Sequence, residues 1–143
     1  MEAQADYKEL LALFNAHDVR YLLIGAYALA FHGAPRYTGD LDLLVRPDEE
    51  NGRRILSALE AFGFGSLGLT VNDFSVSDRV VQLGVPPVRV DIITSITGVS
   101  WEEAEAERVQ GTFGTIPVSY IGRASFIRNK RALGRNKDLA DAD

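Results

Sequence analysis

Six residues, Asp40-Leu41-Asp42-Leu43-Leu44-Val45, constrain this chain more than any others. Successive side chains of a strand point to opposite faces. A strand here sets Asp40 and Asp42 on one face and Leu41, Leu43 and Val45 on the other. The apolar face calls for a core. The acidic face carries a conflict, because two carboxylates about 4 Å apart repel by about 4 kcal/mol at an effective dielectric of about 20. Two arrangements relieve it. A divalent cation that prefers oxygen ligands, Mg²⁺ or Mn²⁺, binds the pair, or the pair sits hydrated at a solvent-facing strand end. These residues by themselves leave both open.

The flanking sequence places this strand in a larger unit. Tyr21 to Ile24 is a short apolar run that reads as a buried strand, and Gly25 breaks it. Ala26 to His32 is small and apolar, suited to a helix packed tightly on a sheet. Gly33 and Pro35 form a helix-stop signature after it. Before this unit, Asp6 caps a first helix with Glu9 as its capping-box partner, and Tyr7, Leu10, Leu11, Leu13 and Phe14 form its apolar stripe. After it, Pro47 and Asp48 open a helix through Ile55, Leu56, Leu59 and Phe62 that Gly63 closes. Val71–Phe74 makes one helical turn.

Arg79–Leu83 and Val88–Thr94 form a hairpin across Gly84, Pro86 and Pro87. In its second strand Arg89, Asp91 and Ile93 share a face, so Asp91 is a third lone carboxylate in an apolar strand. Ser100 caps a short acidic helix from Trp101 to about Glu107. Val109–Phe113 and Ile116–Tyr120 form a last hairpin. Residues 123–134 form a basic amphipathic helix with Ala124, Phe126, Ile127 and Leu133 inward. The expected fold is α/β (α+β): a mixed central sheet with flanking helices, in one domain spanning 1–143.

The chain's 143 residues suit one domain. No apolar run reaches the ~18 residues of a spanning helix, so no membrane role is expected. The acidic N-terminus lacks a secretory h-region, and no cysteine supplies a disulfide or thiolate zinc site, which fits a cytoplasmic protein. The net charge of −5 argues against general nucleic-acid coating. Residues 123–137 nevertheless contain Arg123, Arg128, Lys130, Arg131, Arg135 and Lys137 and no acid, which points to a local anion site.

A strand that ends in a glycine turn and leads into a helix offers backbone N–H groups to an anion. Three carboxylates on neighbouring strands suit two divalent ions about 3.5–4 Å apart. Together they suit a nucleoside triphosphate and in-line nucleotidyl transfer. The stretches LLIGAYALAFHGAPRYTGDLDLLV (22–45), VRVDIIT (88–94) and IRNKRALGRNKDLADAD (127–143) carry a resemblance. The chain resembles a minimal nucleotidyltransferase of the DNA polymerase β-like superfamily. It is most similar to a group of small bacterial members, some related to the nucleotidyltransferases of toxin–antitoxin pairs.

The resemblance implies a nucleotidyltransferase-like fold, Mg²⁺ (or Mn²⁺) dependence and transfer of an NMP from an NTP. The family's glycine turn falls on Gly25 and Ala26, and its metal-binding catalytic aspartates fall on Asp40, Asp42 and Asp91. The usual serine or second glycine of the turn is here Ala26, so only backbone donors remain there.

Arg36 and Thr38 precede the D-x-D in the same phase. Arg36 is a candidate phosphate clamp and Thr38 a candidate to orient Asp40, against loop solvation and a turn hydrogen bond. Lys130 is a candidate phosphate ligand, against a solvated basic face. His32 reads as a helix C-terminal residue and Trp101 as packing. The leading function is metal-dependent nucleotidyl transfer to a hydroxyl of protein, RNA or a small molecule. The alternative is a non-catalytic nucleotide- or partner-binding module of a paired, toxin–antitoxin-like system. A homodimer or partner chain is expected to complete the cleft of so short a chain.

Overall fold

Leu41, Leu43 and Val45 are fully buried, as the alternation of their strand requires. They lie at the centre of a computed structural model that describes residues 3–33, 39–65, 67–85 and 88–134. The elements run α1 (Ala3–Ala16), β1 (Tyr21–Ile24), α2 (Gly25–Phe31), β2 (Asp40–Val45), α3 (Glu49–Phe62), α4 (Asn72–Ser75), β3 (Val80–Val85), β4 (Val88–Ile93), α5 (Trp101–Ala106), β5 (Val109–Phe113), β6 (Ile116–Tyr120) and α6 (Arg123–Leu133). One six-stranded sheet has the order β3-β4-β2-β1-β6-β5. It is mixed: β2 pairs parallel with β4 and β1 parallel with β6, while β1/β2, β3/β4 and β5/β6 are antiparallel. The α+β architecture with a mixed sheet is the one expected.

The two sheet faces hold two apolar clusters. On the first, Leu23, Leu41, Leu43, Val90 and Ile92 pack beneath Tyr7, Leu10, Leu11 and Phe14 of α1 and Ile55, Ala58 and Leu59 of α3. Each such aliphatic side chain contributes about 1.5–3 kcal/mol by leaving water. On the second, Leu22 and Leu44 pack with Val99, Trp101 and Ala104 around α5. Helices therefore flank both faces. Trp101 is a packing residue, as its position after a Ser cap implied.

Local signals set most element ends. The Asp48 side chain accepts a hydrogen bond from the Asn51 amide at 2.7 Å and caps α3, and Gly63 ends that helix at φ +113°. Ser100 and Glu103 form a full capping box on α5. Two expectations fail. The first helix begins at Ala3, so Asp6 lies inside its first turn and favours the helix dipole instead of capping. Ala124 is exposed, and Ser125 and Phe126 are the buried positions of α6.

Two polar ties hold opposite ends of the central strands. Asn51, almost fully buried, accepts from the Arg20 amide at 2.8 Å and donates to the carbonyls of Arg20 and Arg46, each at 3.0 Å. It joins the start of β1 to the end of β2. At the other end the Tyr7 hydroxyl accepts from the Arg89 amide at 3.2 Å and donates to the Gly39 carbonyl. Helix α1 is thereby fastened where β2 and β4 begin.

Candidate functional site

The site lies on the second sheet face, at the end that α5 leaves uncovered. Parallel pairing of β2 with β4 sets Asp42 opposite Asp91 and Asp40 opposite Arg89. Antiparallel pairing of β1 with β2 sets Ile24 opposite Asp42. Paired positions share a face. The fold therefore brings Asp40, Asp42 and Asp91 to one side of two adjacent strands. All three are partly buried.

Gly25 turns the chain against this cluster. Its φ is +73°, and a Cβ built on it would lie 2.2 Å from Asp42 Oδ2. Only a glycine combines that backbone angle with so close an approach. The strand–glycine–helix unit and the D-x-D strand thus meet at one point. Ala26 follows inside α2, and His32, at the C-cap of that helix, donates from its ring Nε2 to the Ile121 carbonyl at 2.7 Å.

The carboxylates are electrostatically crowded. Burial first, then the charges of Asp91 and Asp40, push the Asp42 carboxyl from its ordinary 3.8 up to about 6, against the pull of Arg89. A hydrogen bond with Asp91 adds to the rise. Asp91 is in turn held by Arg89. Arg89 Nε donates to Oδ1 and Nη2 to Oδ2, each at 3.2 Å, in a two-pronged contact along the strand. The pair is largely shielded, with side-chain exposures of 31% for Arg89 and 14% for Asp91.

The donor set suits a hard divalent cation: oxygen ligands, mutual repulsion and partial burial. Among the described residues, however, no three acid, histidine or cysteine side chains converge as a finished metal cage. Both oxygens of Asp91 face a guanidinium. Arg89 and Tyr7 are the site residues that the sequence reading did not single out. The shared face of Arg89 and Asp91 was visible in their i, i+2 spacing. The hydroxyl bridge of Tyr7 to Arg89 spans 82 positions and leaves no local signal.

Beside the acids is a cavity of about 250 Å³. Gly25, Ile24, Ile93 and Ile96 line one side, and Phe126 and Lys130 of α6 the other. The Lys130 ammonium lies 5.5 Å from the centre of the Phe126 ring, a cation–π distance. Lys130 thus stands across the cavity from the glycine turn. Arg36 and Thr38 lie outside the described residues, as do Arg135 and Lys137. No helix among the described residues is long and apolar enough to cross a membrane.

No protein-family model matches the chain, and no curated protein matches it in sequence. Solved structures do match its fold. A proposed nucleotidyltransferase of Thermotoga maritima superposes with a TM-score of 0.65 at 14% identity, over 94% of this chain and 86% of that one. The antibiotic-resistance factor ANT(2'')-Ia gives 0.61 at 12% identity, over 97% and 80%. An antigenic nucleotidyltransferase-like protein of Paracoccidioides brasiliensis gives 0.57 at 17% identity, over 99% and 73%. The fold is that of nucleotidyltransferases.

Proposed function

We propose that the protein moves an NMP from an NTP to a hydroxyl acceptor, using Asp40, Asp42 and Asp91. One observation carries this reading: Asp42 and Asp91 are paired in register beside a glycine turn that only a missing Cβ lets approach. The nucleotidyltransferase fold supports it.

Asp40, Asp42 and Asp91 would hold Mg²⁺ or Mn²⁺, which when bound neutralises phosphate charge and polarises the α-phosphoryl group. The chain's own groups do the rest. Backbone N–H groups at Gly25 and Ala26 face the phosphates, and Lys130 adds a positive charge from the far wall of the cavity. The nucleoside fills that cavity against Ile24, Ile93 and Phe126. The acceptor oxygen attacks the α-phosphorus, its proton passes to Asp91, and the bond to the bridging oxygen breaks to release pyrophosphate. The acceptor belongs to a protein, an RNA or a small molecule, and a partner chain or second copy completes its side of the cleft.

The test is transfer itself. The protein is incubated with each α-³²P-labelled NTP, Mg²⁺ and a cell extract, and products are resolved by size. A labelled product that vanishes in Asp42→Asn and Asp91→Asn supports the reading. Label that persists in both variants, or none with any NTP in the presence of either cation, refutes it.

A further inference from the structure

We propose that Asn129 reads the nucleobase, and selects nucleotides whose base carries an amino group at its far edge, ATP and CTP, over those with a carbonyl oxygen there. This rests on the placement of the nucleoside in the cavity beside the acids. Asn129 belongs to α6 and lines that cavity with Phe126 and Lys130. Most of the lining is aliphatic, and Asn129 and Thr97 supply its uncharged polar side chains. In an apolar cavity a few fixed polar groups set the orientation and identity of the ligand. The Asn129 amide is fixed in this sense. Its Nδ2 donates to the Thr97 carbonyl at 2.8 Å. A carbonyl only accepts, so the nitrogen must face Thr97 and the oxygen cannot take its place. Close packing holds the same seam: Gly98, at φ +83°, comes so near α6 that a Cβ on it would lie 2.4 Å from the Ala132 Cβ. Asn129 Oδ1 accepts no hydrogen bond among the described residues.

Strand register puts this acceptor at the end of the cavity away from the phosphates. Ile24, Asp42 and Asp91 stand side by side, and β1 runs antiparallel to β2 and therefore to its parallel neighbour β4. Gly25 thus lies toward the start of β4. Ile93 closes the other end of that strand, and Ile96 and Thr97 follow it. A nucleotide with its phosphates at Gly25 and Asp91 extends its base toward Thr97 and Asn129. The ring position farthest from the sugar is C6 of a purine or C4 of a pyrimidine. Adenine and cytosine carry an amino donor there, whereas guanine, hypoxanthine and uracil carry an acceptor oxygen. The amino group satisfies Asn129 Oδ1. A carbonyl oxygen would face it acceptor to acceptor and leave both unpaired.

Isothermal titration calorimetry on the full chain with Mg²⁺ tests this by comparing ATP with ITP, and CTP with UTP. Each pair differs only at that amino or carbonyl group and the ring nitrogen beside it. Wild type should bind the amino member of each pair about tenfold tighter or more. Asn129→Leu keeps the bulk and drops the acceptor, and should bring both ratios below about threefold. A residue that merely braces α6 would, when replaced, weaken all four nucleotides alike and leave the ratios standing; that result overturns the proposal. Wild-type ratios near one overturn it too, and they are measurable even where Asn129→Leu fails to fold. Equal binding of all four nucleotides removes only the base reading. Failure of all four to bind with either Mg²⁺ or Mn²⁺ removes the placement of the nucleoside, and the base reading with it.

Discussion

Asp42→Asn should stabilise the metal-free protein above neutral pH. The Asp42 carboxyl is pushed from 3.8 up to about 6 by burial and by Asp91 and Asp40, a gap of about 3 kcal/mol at full ionisation. The folded state therefore holds a proton there that the unfolded state has already lost. Between those two pH values the folded state binds more protons, so stability falls as pH rises. The loss starts near 3.8 and is complete above about 6. Asparagine has nothing to titrate. Its advantage over wild type should be near zero at the acid end and grow to at most ~3 kcal/mol by pH 8.

Urea unfolding in EDTA, at a series of pH values from 3.5 to 8, reads this difference. Taking the difference between variant and wild type cancels titrations common to both. Mg²⁺ at about a thousand times its Kd should reverse the order, because it adds about 4.1 kcal/mol to the protein that binds it. A variant no more stable than wild type at pH 8 in EDTA would refute the reasoning. It would mean that Arg89 already neutralises Asp42 as well as Asp91, and that the acids need no further cation.

Gly25→Ala should cost more than the ~1–2 kcal/mol of a left-handed backbone alone, because the new Cβ falls on Asp42 Oδ2. Gly63→Ala, with φ +113° and nothing within 4 Å, should cost only the backbone part, and thermal melts of the two compare them. Tyr7→Phe leaves the Gly39 carbonyl and Arg89 amide without their bridge and should cost about 1–3 kcal/mol; hydrogen exchange should quicken at the Arg89 amide first. Asn51→Ala breaks three bonds at the far end of the strands and should cost about 2–4 kcal/mol in urea unfolding, with Mn²⁺ affinity unchanged.

What could be read in advance divides along physical lines. The D-x-D strand, the capped helix after Asp48 and the Ser100 capping box are set by neighbours a few residues apart, so their patterns survive in one dimension. The shared face of Asp40 with Asp42, and of Arg89 with Asp91, follows from alternation alone. Which strands stand side by side does not. The parallel pairing that sets Asp42 opposite Asp91 depends on core packing beneath α1 and α3, and no local rule states it.

The site adds a second kind of difficulty. Alternation says that Arg89 and Asp91 are neighbours, but not whether the guanidinium turns along the strand or out to solvent. That choice is a rotamer, decided by how badly Asp91 needs a cation next to Asp42. The expectation of a cation between three acids starts from the same charge imbalance. Asp91 is paired with the chain's own arginine, two residues away. A carboxylate in an apolar strand can therefore take its counter-charge from a guanidinium on the same strand, and the rotamer that does so leaves no mark in the spacing.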